Sequence, residues 1–121
     1  MANTFKVVTF AAEPASAGTP LVMYTAAGST TTVILGLILT NLNTSQVTTT
    51  VRLISDTGSR AGANNVTNGT SILVKDAPIP VGSSLEILTG SKVVLETTDA
   101  ITVDCSVADK LSGTLSIMEI T

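Results

Sequence analysis

Histidine and tryptophan are absent from this chain of 121 residues, which has one cysteine, two phenylalanines and one tyrosine. Histidine is the usual general base near neutral pH and the commonest nitrogen ligand of metal ions. A single cysteine excludes an internal disulfide framework. The sequence therefore predicts no catalytic residues, no metal site and no cofactor.

Charge is also scarce, since only 12% of the residues are Asp, Glu, Lys or Arg. Six cations against nine acids cannot provide the phosphate contacts of a nucleic-acid surface, and three aromatic residues are too few for base stacking. The most apolar run, Val33 to Leu39, is far shorter than the ~20 residues of a membrane helix, and the N-terminal residues lack the pattern of a cleaved signal peptide. We expect neither a nucleic-acid nor a membrane partner.

β-Branched residues are abundant: Thr, Val and Ile make up 43 of the 121 residues and favour strands over helices. Short apolar runs bounded by Gly, Pro, Asn, Asp or Ser recur along the chain, as in sandwiches and barrels. We predict a single all-β domain over residues 1–121, an antiparallel β-sandwich of immunoglobulin-like or jelly-roll-like type with about eight or nine strands. The predicted strands are Thr4–Phe10, Leu21–Ala26, Thr31–Asn41, Val47–Ser55, Thr70–Ala77, Leu85–Leu88, Lys92–Glu96, Ile101–Val107 and Gly113–Ile120.

Period-two alternation predicts which side chains face the core. Ile101, Val103, Cys105 and Val107 share one face of their strand, so Cys105 is expected to be a buried, unreactive thiol. The run from Leu85 to Glu96 predicts a hairpin in which Leu85 pairs with Leu95 and Ile87 with Val93. Its loop would be Thr89-Gly90-Ser91.

Two segments are candidates for contact with other chains. Val33 to Leu39 does not alternate, so we expect its two faces to be covered, one by the core and the other by a flanking segment or another subunit. Two prolines should end the strand near Lys75 and form a rigid corner. The predicted assembly contacts are Val33, Ile34, Leu35, Leu37, Ile38, Leu39, Pro78, Ile79 and Pro80.

Acidic residues offer a weaker alternative. In the predicted hairpin Glu86 and Glu96 would be diagonal neighbours at a spacing compatible with glycosidase chemistry, but acids on an exposed hairpin usually serve solubility. Three aspartates, at positions 99, 104 and 109, recur every five residues and match no calcium-binding loop. We expect no catalysis from either group.

Several segments resemble small virion structural proteins of tailed bacteriophages, especially contractile-tailed phages of marine cyanobacteria. The resemblance lies in Ile72–Ile87 (ILVKDAPIPVGSSLEI) and Lys92–Glu96 (KVVLE), with further similarity in Tyr24–Ile34 (YTAAGSTTTVI) and Leu115–Thr121 (LSIMEIT). It implies a non-enzymatic β-sandwich located in the virion. Such a protein is present in multiple copies, as a capsid decoration or a neck or tail accessory subunit.

The composition is consistent with that expectation, because a Thr-rich, weakly charged surface can meet copies of itself at little desolvation cost. We therefore expect a homo-oligomer that also contacts other virion proteins of the capsid, neck or tail. The alternative is a host-surface or carbohydrate-binding module of a phage fibre or tail tip, which would use the polar loop Asp56 to Gly69.

Overall fold

The computed structural model describes residues 2–55, 69–88 and 92–121, which contain nine β-strands and no helix. All the strand pairings are antiparallel. The predicted all-β sandwich is confirmed, and each predicted strand has a counterpart. The strands are β1 (Asn3–Glu13), β2 (Leu21–Thr25), β3 (Thr31–Asn41), β4 (Val47–Ser55), β5 (Gly69–Ile79), β6 (Ser84–Ile87), β7 (Val93–Leu95), β8 (Ala100–Cys105) and β9 (Leu111–Ile120).

The strands form two sheets that pack face to face. The first sheet has the order β1-β9-β3-β6, with β7 also paired to β3, and the second has the order β2-β8-β4-β5. Because β9 pairs along one side of β3, β6 and β7 share the other side and act as one interrupted strand. Four strand positions in each sheet, with β1 beside β9 and β2 beside β8, make the double Greek key of a jelly roll. This order differs from the immunoglobulin-like alternative.

The core between the sheets is almost entirely aliphatic. It includes Ile101, Val103 and Cys105 of β8, as their alternation predicted, while Val107 is half-buried against it. The fully buried side chains of greatest volume are Ile34, Leu37, Leu39, Ile79, Leu95, Ile101, Leu111, Leu115, Ile117, Val47, Val51 and Val103.

A β-bulge explains why the sequence of β3 does not alternate. The register with β9 shifts between Ile34 and Gly36, which leaves Leu35 as an extra residue. The insertion lets Ile34, Leu37 and Leu39 all point into the core despite their irregular spacing.

The predicted hairpin between β6 and β7 is wrong in its pairing. Leu85 lies opposite Leu39, and Leu95 lies opposite Thr32, so both strands pair with β3 rather than with each other. The predicted faces are nevertheless correct: Ile87 and Leu95 are buried, and Leu85 and Val93 pack against the core. The predicted loop, residues 89–91, lies outside the described residues.

The strand predicted to end near Lys75 continues to Ile79. Pro78 is tolerated because β5 is an edge strand, and it lies opposite Thr48 in the pairing with β4. The turn follows two residues later, where Ser83 donates a backbone hydrogen bond to the carbonyl of Pro80.

Candidate assembly surface

The structure divides the predicted contact residues of β3 between core and surface. Ile34, Leu37 and Leu39 are buried and belong to the core of this chain. Val33 and Leu35 are half-buried, and Ile38 is 41% exposed. One face of β3 is therefore covered within the chain, and only the latter three side chains can meet a partner.

The proline corner is divided in the same way. Ile79 is fully buried. Pro78 and Pro80 are exposed, one within β5 and the other at the start of the turn that includes Gly82. Gly82 has a φ of 72°, which glycine adopts without strain.

A straight line of apolar side chains crosses the outer face of the first sheet. Phe5 lies opposite Met118, Met118 lies opposite Val33, and Val33 lies opposite Val94. We call these four residues, from four strands, the apolar row. Phe5 is 70% exposed and Val94 54% exposed, although large side chains of this kind usually gain free energy from burial.

The bulge in β3 produces a depression on the same outer face. Its cavity volume is about 210 Å³. It lies between β3, β6 and β9 and is lined by Leu35, Gly36, Leu37, Ile38, Glu86, Ile87, Thr114 and Ser116. The depression is of mixed character, since Leu35 and Ile38 lie beside Glu86, Thr114 and Ser116.

The outer face of the second sheet has a different character. The Arg52 guanidinium lies 2.9 Å from the Asp104 carboxylate, which also accepts a hydrogen bond from the backbone N–H of Thr50. The Thr50 hydroxyl accepts a hydrogen bond from the backbone N–H of Asp76 in the bulge of β5. These charged groups are satisfied within the sheet, so they stabilise it.

A polar bridge connects the two sheets at one side of the sandwich. The Tyr24 hydroxyl of β2 donates a 2.6 Å hydrogen bond to Glu119 of β9, and it lies 2.8 Å from the Thr32 hydroxyl of β3. The Lys6 ammonium of β1 lies 2.7 Å from the other oxygen of the Glu119 carboxylate. We call Tyr24, Thr32, Glu119 and Lys6 the inter-sheet bridge.

The pKa shifts in the inter-sheet bridge suit a structural contact. Burial raises the pKa of the Tyr24 hydroxyl above its ordinary value, and the hydrogen bond to Glu119 adds to the rise. The hydrogen bond from Lys6, and then that from Tyr24, lowers the pKa of the Glu119 carboxyl. The bridge thus keeps the phenol protonated and the carboxylate charged, whereas an activated phenolate would need a lowered pKa.

The acidic residues and the cysteine that the sequence analysis considered for catalysis or metal binding either lie apart from one another or make structural contacts. Glu86 points outward from β6 and Glu96 follows β7, and the two strands do not pair, so they are not diagonal neighbours. Asp99 is buried and accepts a hydrogen bond from the backbone N–H of Glu96. Cys105 is free and buried, as predicted. Within residues 2–55, 69–88 and 92–121, no three acidic or cysteine side chains gather as a metal site would require.

The predicted alternative site lies almost wholly outside the described residues. Of the polar loop Asp56 to Gly69, the structure describes only Gly69, the first residue of β5. The described ranges also hold no helix of the length and apolarity needed to cross a membrane.

Sequence reasoning identified Val33 but missed the other three members of the apolar row. Phe5 lies in a strand whose alternation is ambiguous, since Phe5 and Val7 point outward while Val8 and Phe10 pack against the core. The four positions are distant in sequence and align only through strand register. For the irregularity of β3 the sequence contains one signal, Gly36, because a glycine within an apolar strand often marks a β-bulge.

Comparison of the chain with protein-family models, curated proteins and solved structures found no match.

Proposed function

We propose that this chain is a non-enzymatic structural subunit of a tailed bacteriophage particle. It would be present in multiple copies as a capsid decoration or as an accessory subunit of the neck or tail. Its partners would be further copies of itself and other virion proteins. The proposal combines the resemblance of Ile72–Ile87 and its flanking segments to such proteins with the surface of the folded chain.

The observation that carries the proposal is the exposed apolar row. A chain with three aromatic residues leaves one of them, Phe5, 70% exposed beside other apolar side chains on a sheet face. Contiguous exposed apolar surface on a soluble domain favours a protein interface. Aromatic side chains are also the most frequent anchors of such interfaces.

The jelly-roll fold is compatible with a structural role in a phage particle, but the fold does not by itself identify that role. Jelly rolls occur in viral capsid proteins and also in lectins. A fold of this kind hosts many functions, so the argument depends on the surface rather than on the topology.

The proposal is tested on purified particles of a tailed phage whose genome contains this sequence. Quantitative mass spectrometry should find it in many copies per particle, at a constant ratio to the major capsid protein after nuclease and salt washes. Electron microscopy should then place it on the capsid, neck or tail. Absence from washed particles, or a variable trace amount, would contradict the proposal.

A further inference from the structure

We propose that the outer face of the first sheet binds the same face of a second copy of this chain, as a two-fold dimer. In this dimer Phe5 of each copy packs against Val94 of the other. The inference rests on the proposed function, because it names the surface through which copies of the structural subunit meet.

Charge favours a second copy as the occupant of this face. Among the described strand residues that point outward from the first sheet, Glu86 is the one charged side chain, and Lys92 and Glu96 flank β7, while each chain has a net charge of −3. Two copies repel through their net charge, and they repel least where the charge density is lowest. A partner with a dense charge of one sign would find few complementary charges among the described residues of this face.

The order of side chains in the apolar row is self-complementary. Along the line the row has two large side chains, Phe5 and Met118, followed by two smaller ones, Val33 and Val94. A two-fold axis parallel to the strands lays the row on a reversed copy of itself. Phe5 then meets Val94 and Met118 meets Val33, so each large side chain faces a small one, as close packing requires.

The face is close in size to the surface that a stable dimer buries. Three strands of ten or eleven residues, with β6 and β7 as a shorter fourth position, lie about 4.8 Å apart at about 3.3 Å per residue and give a surface of roughly 600 Å². A standard-size interface buries about 800 Å² on each partner. Burial of this face and its rim therefore approaches the size of a stable interface.

The first test measures the dissociation constant by sedimentation velocity over a dilution series. Phe5→Lys and Val94→Lys should each raise it by about tenfold or more, because each buries a charge in an apolar interface. Val22→Lys is the matched control, since Val22 is 57% exposed on the outer face of the second sheet and Val94 is 54% exposed. The control should change the dissociation constant less than about twofold.

All three substitutions are at exposed positions, so melting temperatures close to that of the wild type should show that each variant folds, when they are measured at concentrations below the wild-type dissociation constant. Equal effects of Val94→Lys and Val22→Lys would overturn the proposal. So would a wild-type chain that stays monomeric up to about 1 mM.

The second test examines the two-fold arrangement by cross-linking. A Phe5→Cys, Val94→Cys double variant should form covalent dimers with a short bismaleimide, whose spacer matches the ~10 Å between packed sheets. Phe5→Cys alone should not, because the two Phe5 positions lie at opposite ends of the paired rows. The wild type is the control for the buried Cys105. Efficient dimers from Phe5→Cys alone, with no gain in the double variant, would contradict this arrangement.

The two proposals fail separately. Many copies on the particle together with a strictly monomeric chain in solution would refute the dimer and leave the structural role standing. A solution dimer that is absent from washed particles would refute the structural role and leave the interface standing.

Discussion

At the scale of single residues, two buried threonines differ in whether the side-chain hydroxyl has a hydrogen-bond partner, and this difference decides their contributions to stability. Thr102 is 2% exposed, and its hydroxyl has no hydrogen-bond partner among the described residues. Thr49 is 1% exposed, and its hydroxyl donates a 2.7 Å hydrogen bond to the backbone carbonyl of Asp104. The first hydroxyl has lost its water with no replacement from the described part of the chain, whereas the second is satisfied.

Replacement of each threonine by the isosteric valine should therefore have opposite effects. We expect Thr102→Val to raise the free energy of unfolding by about 1 kcal/mol, because it removes an unpaired buried hydroxyl. Thr49→Val should lower it by about 1–2 kcal/mol, since it leaves a buried carbonyl without one of its donors. Urea denaturation of both variants measures the difference. Loss of stability in Thr102→Val comparable to that in Thr49→Val would contradict this account.

At the scale of the strands, a glycine and an aromatic ring form a cross-strand pair between β1 and β9. Phe10 lies opposite Gly113, and a Cβ atom built on Gly113 would overlap the Phe10 ring. Gly113 does not have a positive φ, so its requirement for glycine comes from the ring and not from the backbone.

Gly113→Ala should accordingly lower the free energy of unfolding by about 1–2 kcal/mol, because the ring must leave its place on β9. The matched control is Gly36→Ala in the same sheet, where an added Cβ meets no atom within 4 Å. In a Phe10→Leu background, Gly113→Ala should lower the free energy of unfolding by less than it does in the wild type. A double-mutant cycle of denaturation experiments measures this difference. An unchanged cost in that background would mean that the ring is not the cause.

The strands also show how much of this fold the sequence predicts. Alternation depends on local contrast between apolar and polar residues, and it correctly placed Ile87 and Leu95 in the core. Pairing depends on which strand edge is free, and the same alternation suits a hairpin or a shared partner equally well. Because one side of β3 accommodates both β6 and β7, pairing of each strand with β3 takes the place of the predicted hairpin.

The candidate surface was less predictable for the same reason. Val33, Leu35 and Ile38 stood out as part of an apolar run, but the run alone did not reveal the extra residue that sends Ile34, Leu37 and Leu39 inward. Phe5 lies in a segment of ambiguous alternation and Met118 in a short alternating one, and both segments have an ordinary composition. Their alignment with Val33 and Val94 is a property of four strands in register, which no local pattern encodes.

At the scale of the whole molecule, the inter-sheet bridge makes stability depend on pH. The lowered pKa of Glu119 means that its contribution is present above the ordinary value of 4.5 and is lost as the pH falls through the lower value in the folded chain. Glu119→Gln should melt at a lower temperature than the wild type at pH 7, because it weakens the contacts with Lys6 and Tyr24. This gap should narrow at pH 3, which lies below the ordinary value of 4.5, because the stabilisation from the charged carboxylate is lost progressively as the pH falls.

Thermal melts at the two pH values measure the effect. The wild type measured at both pH values is the reference, because its own loss of melting temperature includes the effects of every other carboxyl group. If Glu119→Gln loses as much melting temperature between pH 7 and pH 3 as the wild type, the inter-sheet bridge is not an acid-sensitive contact.

The position of β9 between β1 and β3 also constrains the order in which the chain can acquire its structure. Asn3 pairs with Ile120, so a strand translated early must wait for one translated late before its backbone groups find partners. Among the nine described strands, β4 and β5 are the one pair both consecutive in the chain and adjacent in a sheet, which leaves little opportunity for local nucleation. During synthesis we therefore expect the apolar segment of β1 to stay unpaired until β9 has been made, whereas β3 can pair earlier with β6 and β7.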